Sequence, residues 1–145
     1  MPLTEDAENM KVIVCLDDKG GMLFGNRRQS RDRVLNADVV QMSTGVRLCI
    51  DPYSKLLFED SGADILCESD FLDLATENDC CFVENRALVP YIDKIDEVVV
   101  YHWNRRYPSD VFFDLDLSKE GFKMVSTEEF AGYSHDKITK EIFRK

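Results

Sequence analysis

Glu97-Val98-Val99-Val100-Tyr101-His102-Trp103 is the strongest strand signal in the chain, with three successive valines followed by tyrosine. It also marks a change of texture. Before it, short apolar runs alternate with helical patterns; after it, residues 111–113, 122–125 and 138–143 read as strands with no convincing helix between them. Alternation followed by a strand-rich end predicts an α/β architecture. The sheet should be mostly parallel, with flanking helices and a C-terminal antiparallel hairpin.

Working back from that stretch, residues 88–95 read as helical, with Pro90 tolerated in the first turn, and residues 80–83 as a strand. Ser69 is positioned to cap a short helix carrying Phe71, Leu72 and Leu74, and residues 64–67 form a short strand. Asp51-Pro52 starts another helix, with Asp as the cap and Pro at the first helical position, after a strand over residues 46–50. A helix capped by Ser30 runs to about Met42, with Val34, Leu35, Val39 and Met42 on one face. Residues 11–16 are a continuous apolar run suited to a strand buried on both faces, ending in the loop Asp17-Asp18-Lys19-Gly20-Gly21. The 145 residues, 44% apolar, suit one domain over residues 10–145. Residues 1–9, polar and acidic with no leader pattern, are expected to be a mobile tail.

Eighteen Lys and Arg against 28 Asp and Glu give a net charge of -10. Duplex nucleic acid and anionic membranes are disfavoured as partners, because both are bound through excess cationic side chains. No apolar run approaches the roughly 20 residues of a spanning helix. Five cysteines, an odd number without any Cys-x-x-Cys pair, read as reduced packing residues of a cytoplasmic protein. The vicinal Cys80 and Cys81 point to opposite faces if they lie in a strand, so they do not jointly grip a metal.

The tail carries a family likeness. Val98-Val99-Val100-Tyr101-His102-Trp103, Asp110-Val111-Phe112-Phe113, Gly121-Phe122-Lys123-Met124-Val125, and Ser134-His135 followed by Glu141-Ile142-Phe143-Arg144-Lys145 together resemble the closing strands of dihydrofolate reductases. Near the start, Gly20, Asn26-Arg27 and Asp32 match that family's loop glycine, Pro-Trp pair and helix-opening carboxylate in spacing. The resemblance implies the dihydrofolate reductase fold, with Asp32 at the place of the pterin-binding acid and Tyr101 lining the site. It also exposes departures. The family holds NADPH phosphates at glycine-containing turns after its second and fifth strands, where this chain has Cys49-Ile50-Asp51-Pro52-Tyr53 and Phe82-Val83-Glu84-Asn85. Close backbone approach to phosphate needs glycine, and Asp51 and Glu84 would repel it, so NADPH is disfavoured as a cofactor.

The run from Cys15 to Arg33 is similar to that of short Firmicute-type proteins commonly labelled ribonuclease Z. A two-zinc hydrolase of that kind needs a His-x-His-x-Asp-His cluster, and this chain has two histidines in all, which excludes it.

Four arginines and one aspartate between Arg27 and Arg33 give a local charge of +3. Arginine forks at a helix start suit a phosphate or carboxylate; a solvated first turn whose arginines pair with surface acids is the other reading. Asp32 is either an acid that binds a heterocycle and delivers a proton, or a first-turn acid kept ionised by Arg31 and Arg33. The loop Trp103-Asn104-Arg105-Arg106-Tyr107-Pro108 joins aromatic and cationic groups that could stack a base or clamp a phosphate, or simply edge the core. Residues 56–85 carry nine acids and no Lys or Arg, a solvated face or a partner surface. The expected site is Arg27, Arg28, Arg31, Asp32, Tyr101, Arg105 and Arg106 around a small anionic or nucleotide-like molecule. A divergent NADPH-dependent reductase and a non-catalytic interaction module, binding an acidic partner or a second copy as a homodimer, are the alternatives.

Overall fold

The first strand, β1 (Met10–Leu16), has Val12, Ile13 and Val14 with no solvent exposure at all. A strand alternates its side chains between two faces, so such a run requires cover on both. Val12, Val14 and Leu16 enter one apolar cluster and Ile13 the other. The computed structural model describes residues 10–145, and the expected tail over residues 1–9 lies outside them.

In chain order, β1 is followed by β2 (Gly21–Phe24), β3 (Arg27–Arg28), α1 (Arg33–Met42), β4 (Arg47–Ile50), α2 (Lys55–Phe58), β5 (Asp64–Cys67), α3 (Phe71–Leu74) and β6 (Cys80–Phe82). The remaining strands are β7 (Ile95–His102), β8 (Val111–Phe112), β9 (Lys123–Phe130) and β10 (Ile138–Arg144). Seven strands form one sheet in the order β5-β4-β6-β1-β7-β10-β9. The first five are parallel, while β10 runs antiparallel to β7 and to β9, the expected C-terminal hairpin. The register Val12↔Val98, Ile13↔Val99, Val14↔Val100 sets the two most apolar runs of the chain side by side at the centre. Each of these fully buried side chains contributes about 1.5–3 kcal/mol.

Helix α1 covers one face through Leu35 and Val39, joined by Phe58 of α2. Phe71 and Leu72 of α3, with Leu88, Leu115 and Phe122, cover the other. Cys80 belongs to the first of these layers and Cys81 to the second, so the vicinal pair does face opposite ways.

Several local expectations change. Helix α1 begins at Arg33 with Asp32, in extended conformation, as its cap; Ser30 lies three residues upstream of the first helical residue. Asp32 wins because its carboxylate accepts from the N–H groups of both Val34 and Leu35. The helix after Asp51 is a 3-10 turn, Pro52–Ser54, running into the single turn of α2, with Asp51 capping as expected. Asp70 rather than Ser69 precedes α3 and makes no side-chain cap bond. Residues 89–94 are 3-10, held at their start by the Asp114 carboxylate on the N–H groups of Leu88 and Val89. Between the loop after β1 and the helix start lies an unanticipated hairpin, β2–β3, which joins the strand read at residues 111–113 in a second small sheet, β3-β2-β8. Its hairpin turns on Gly25-Asn26, both with positive φ, at 58° and 63°. That two-residue pattern is the hairpin signal the sequence held, and it puts Arg27 and Arg28 in a strand.

Candidate functional site

Ligands of open α/β sheets bind beyond the carboxyl ends of the parallel strands. Here Cys15 near the end of β1, Phe82-Val83-Glu84 at the end of β6 and Trp103 after β7 border a narrow cleft of about 20 Å³, the room of a single water. Arg28, Ser30, Arg31 and Asn36 close its other side. Past Arg31, Asn36 and Leu57 it continues into a wider part, about 400 Å³ and open to solvent, bordered by Arg33, Leu56, Tyr133 and Ser134.

The floor of the cleft is knitted by ion pairs. Arg28 donates from Nε and Nη2 to the two Glu84 oxygens at 2.9 and 3.0 Å, the bidentate geometry that makes arginine–carboxylate bonds strong. It also donates to the Tyr53 carbonyl at 3.0 Å and lies over the Tyr53 ring at 4.6 Å. Glu84 accepts a further bond from Ser54 Oγ at 2.7 Å. Asp51 accepts from the Tyr53 N–H and pairs with Arg86. The turns after β4 and β6 thus touch each other, and both of their carboxylates are bonded to arginine.

At the mouth of the cleft Asp32 is enclosed. One of its oxygens accepts from the N–H groups of Val34, Leu35 and Tyr133, the other from Ser134 N–H, Ser134 Oγ and His135 Nδ1, the last at 2.9 Å. Burial by itself would raise this carboxyl, but the N–H groups of Tyr133, Ser134 and Leu35 and the imidazole outweigh it and hold it well below the usual carboxylate range. Gly132 permits the approach, since a Cβ there would sit 2.6 Å from an Asp32 oxygen. An ionised carboxylate only accepts, so His135 Nδ1 carries the proton that joins them; in the neutral tautomer so fixed, Nε2 is the acceptor. Ser30 Oγ lies 3.0 Å and the Tyr107 hydroxyl 3.2 Å from that nitrogen. The Trp103 ring packs 4.6 Å from the imidazole, fixing its plane.

The arginine-rich segment and the loop over residues 103–110 do meet, but through Gln29, whose Nε2 donates to Ser109 Oγ at 2.6 Å and to the Pro108 carbonyl at 3.3 Å. Arg105 and Arg106 are exposed and are not among the residues bordering the cleft. Arg27 is exposed on β3, also outside it. Tyr101 is fully buried, and its hydroxyl donates to Asp38 of α1 at 2.5 Å. Of the expected set, Arg28, Arg31 and Asp32 are brought together. Of these three, Arg31 alone has neither a hydrogen bond nor an ion pair from its side chain among the described residues. Arg33, Ser30, Asn36, Trp103, Tyr133 and His135 complete the site; Arg33 and Trp103 lay within the two stretches weighed for binding, whereas Asn36, Tyr133, and Ser30 and His135 as site residues, were not expected. The Ser134-His135 pair was visible as a motif, but the partner of His135, Asp32, lies 103 positions away.

The crossing of a mostly parallel sheet into a C-terminal antiparallel hairpin, with the cleft at the strands' carboxyl ends, defines the dihydrofolate reductase fold. Among solved structures, the chain is similar to the dihydrofolate reductase of Enterococcus faecalis complexed with NADP(H) and RAB-propyl. The TM-score is 0.66 at 11% identity, over 95% of this chain and 96% of that one. No protein-family model and no curated protein matches the sequence. No helix among the described residues is long and apolar enough to cross a membrane.

Proposed function

We propose that this dihydrofolate reductase-like domain binds a small anionic, nucleotide-like molecule in the cleft, with Arg31 as the principal anion contact. The carrying observation is the contrast between arginines. Arg28 and Arg86 are spent on Glu84 and Asp51, whereas Arg31 borders both parts of the cleft with no carboxylate of its own among the described residues. Arg33, stacked on Tyr133 at 4.0 Å, adds a second positive charge to the wider part. The exposed Tyr133 ring and Leu56 offer apolar surface for a planar heterocycle beside those cations.

The same geometry argues against a dinucleotide. The residues at the two turns do not fit NADPH phosphates: Asp51 already occupies the Tyr53 N–H of the 3-10 turn, where Pro52 has none to offer, and Glu84 fills the second turn with negative charge. The motifs are therefore read as degenerate, and reductase chemistry is not assigned.

Thermal-shift titration with inorganic phosphate, a nucleoside monophosphate and a nucleoside diphosphate tests the reading. The wild type should be stabilised by at least one of them, and Arg31→Ala should weaken that response about tenfold or more, the worth of one charged hydrogen bond. Arg105→Ala and Arg106→Ala should leave it within about twofold. Equal responses from wild type and Arg31→Ala would remove Arg31 from the site. Saturable NADPH binding at micromolar concentration, followed by nicotinamide fluorescence, would restore the reductase alternative.

A further inference from the structure

We infer that Ser30, His135 and Asp32 form a nucleophilic relay at the mouth of the cleft, able to take an acyl group from a small carboxylic ester. The connectivity is that of a base-activated serine. Asp32 holds the Nδ1 side of the ring at 2.9 Å, and Ser30 Oγ stands at 3.0 Å from Nε2. The two supporting members are buried, with His135 4% and Asp32 2% exposed, while Ser30 is half-buried and borders the cleft. Asp32 cannot drift, because five further hydrogen bonds pin it, and Trp103 fixes the imidazole plane. Its role is positioning; Ser30 and His135 do the chemistry.

In the first step Ser30 Oγ attacks the ester carbonyl while its proton passes to His135 Nε2. The carbon–alkoxide bond then breaks, and the alcohol leaves with that proton, giving acyl-Ser30. Water repeats the sequence: its proton goes to Nε2, its oxygen bonds to the carbonyl carbon, and the bond to Ser30 breaks with the proton returned to Oγ. One ester and one water become one acid and one alcohol. The Arg31 guanidinium and the Asn36 side-chain amide border the same cleft without partners among the described residues, and they are the donors available to the oxyanion. The arrangement does not depend on the anion-binding reading, since the relay is complete without a bound phosphate.

Tyr107 shares Nε2 with Ser30 at the slightly longer 3.2 Å, so it competes for the base. Its removal should not abolish the reaction.

The test is covalent labelling of the full chain. Wild-type protein is incubated with a fluorophosphonate, in which the serine oxygen displaces fluoride from phosphorus, and separately with p-nitrophenyl acetate; peptide mass mapping then locates the adduct. A phosphonyl or acetyl group on Ser30 is expected. Its rate should fall about a hundredfold or more in His135→Gln, the least effect of losing a general base, and be kept or increased in Tyr107→Phe. Ser30→Ala, melting like the wild type, should lose the label. An unlabelled Ser30 in folded wild-type protein overturns the proposal, as does labelling that is unchanged in His135→Gln. Phosphate binding by the thermal-shift assay reports on Arg31 separately, so failure of one reading leaves the other distinguishable.

Discussion

At the scale of single residues, Asp32 decides most. It caps α1, anchors the backbone at Tyr133 and Ser134, and orients His135, all with one carboxylate. Asp32→Asn replaces one acceptor oxygen by a donor that faces N–H groups, and urea unfolding should show a loss of about 2–4 kcal/mol. Asp17 behaves alike: burial would raise it, but the N–H groups of Tyr107, Gly21 and Lys19 lower it further than burial raises it. Burial would raise Asp79 too, and there Arg47 and Thr76 outweigh it. A carboxyl depressed in the folded state contributes stability in full above its unfolded value of about 3.9, and that contribution is lost as pH falls toward the folded value. Urea midpoints should therefore hold between about pH 5 and 7 and drop steeply below about 4, with a shallower drop in Asp32→Asn. Parallel acid limbs in the two proteins would contradict this account. The +3 charge of residues 27–33 was legible in the sequence, but which arginine remains free was not, because Arg28 finds Glu84 across 56 positions of chain.

At the scale of elements, the site depends on a loop laid against a helix start. Gly132 lets residues 131–135 approach Asp32; its added Cβ would also lie 2.9 Å from Ile138 Cδ1. Gly132→Ala should destabilise by about 1–3 kcal/mol, the cost of overpacking, and disturb the imidazole environment of His135 in a proton NMR spectrum. The β2–β3 hairpin is a second case. Asn26 has a φ of 63°, so Asn26→Val should cost about 1–2 kcal/mol, whereas Asn26→Gly should be close to neutral in thermal unfolding. Elements with strong apolar runs, β1 and β7, were readable where they lie. The short β2 and β3 were less so, because their pairing rather than their composition makes them strands, whereas β8 falls within the strand read at residues 111–113.

At the scale of the whole molecule, stability should be graded from the centre of the sheet outward. β1 and β7 are flanked by strands on both sides and buried on both faces, while β9 is an edge strand with almost every residue exposed. Hydrogen exchange followed by mass spectrometry should show β1 and β7 protected longest and β9 exchanging early; equal protection of β9 would point to a partner strand, as in the homodimer reading. The sequence by itself determined the order of the main-sheet strands along the chain, the parallel sheet with its antiparallel ending and the two-faced burial of the central strands. Each of these follows from local periodicity, which short windows contain. Only the tertiary structure decided which charged groups cancel and which stay available. Arg28 and Glu84, Asp51 and Arg86, and Asp32 and His135 are joined across 56, 35 and 103 positions. Such pairing is fixed by how the strands' carboxyl ends converge, which composition and spacing do not encode locally.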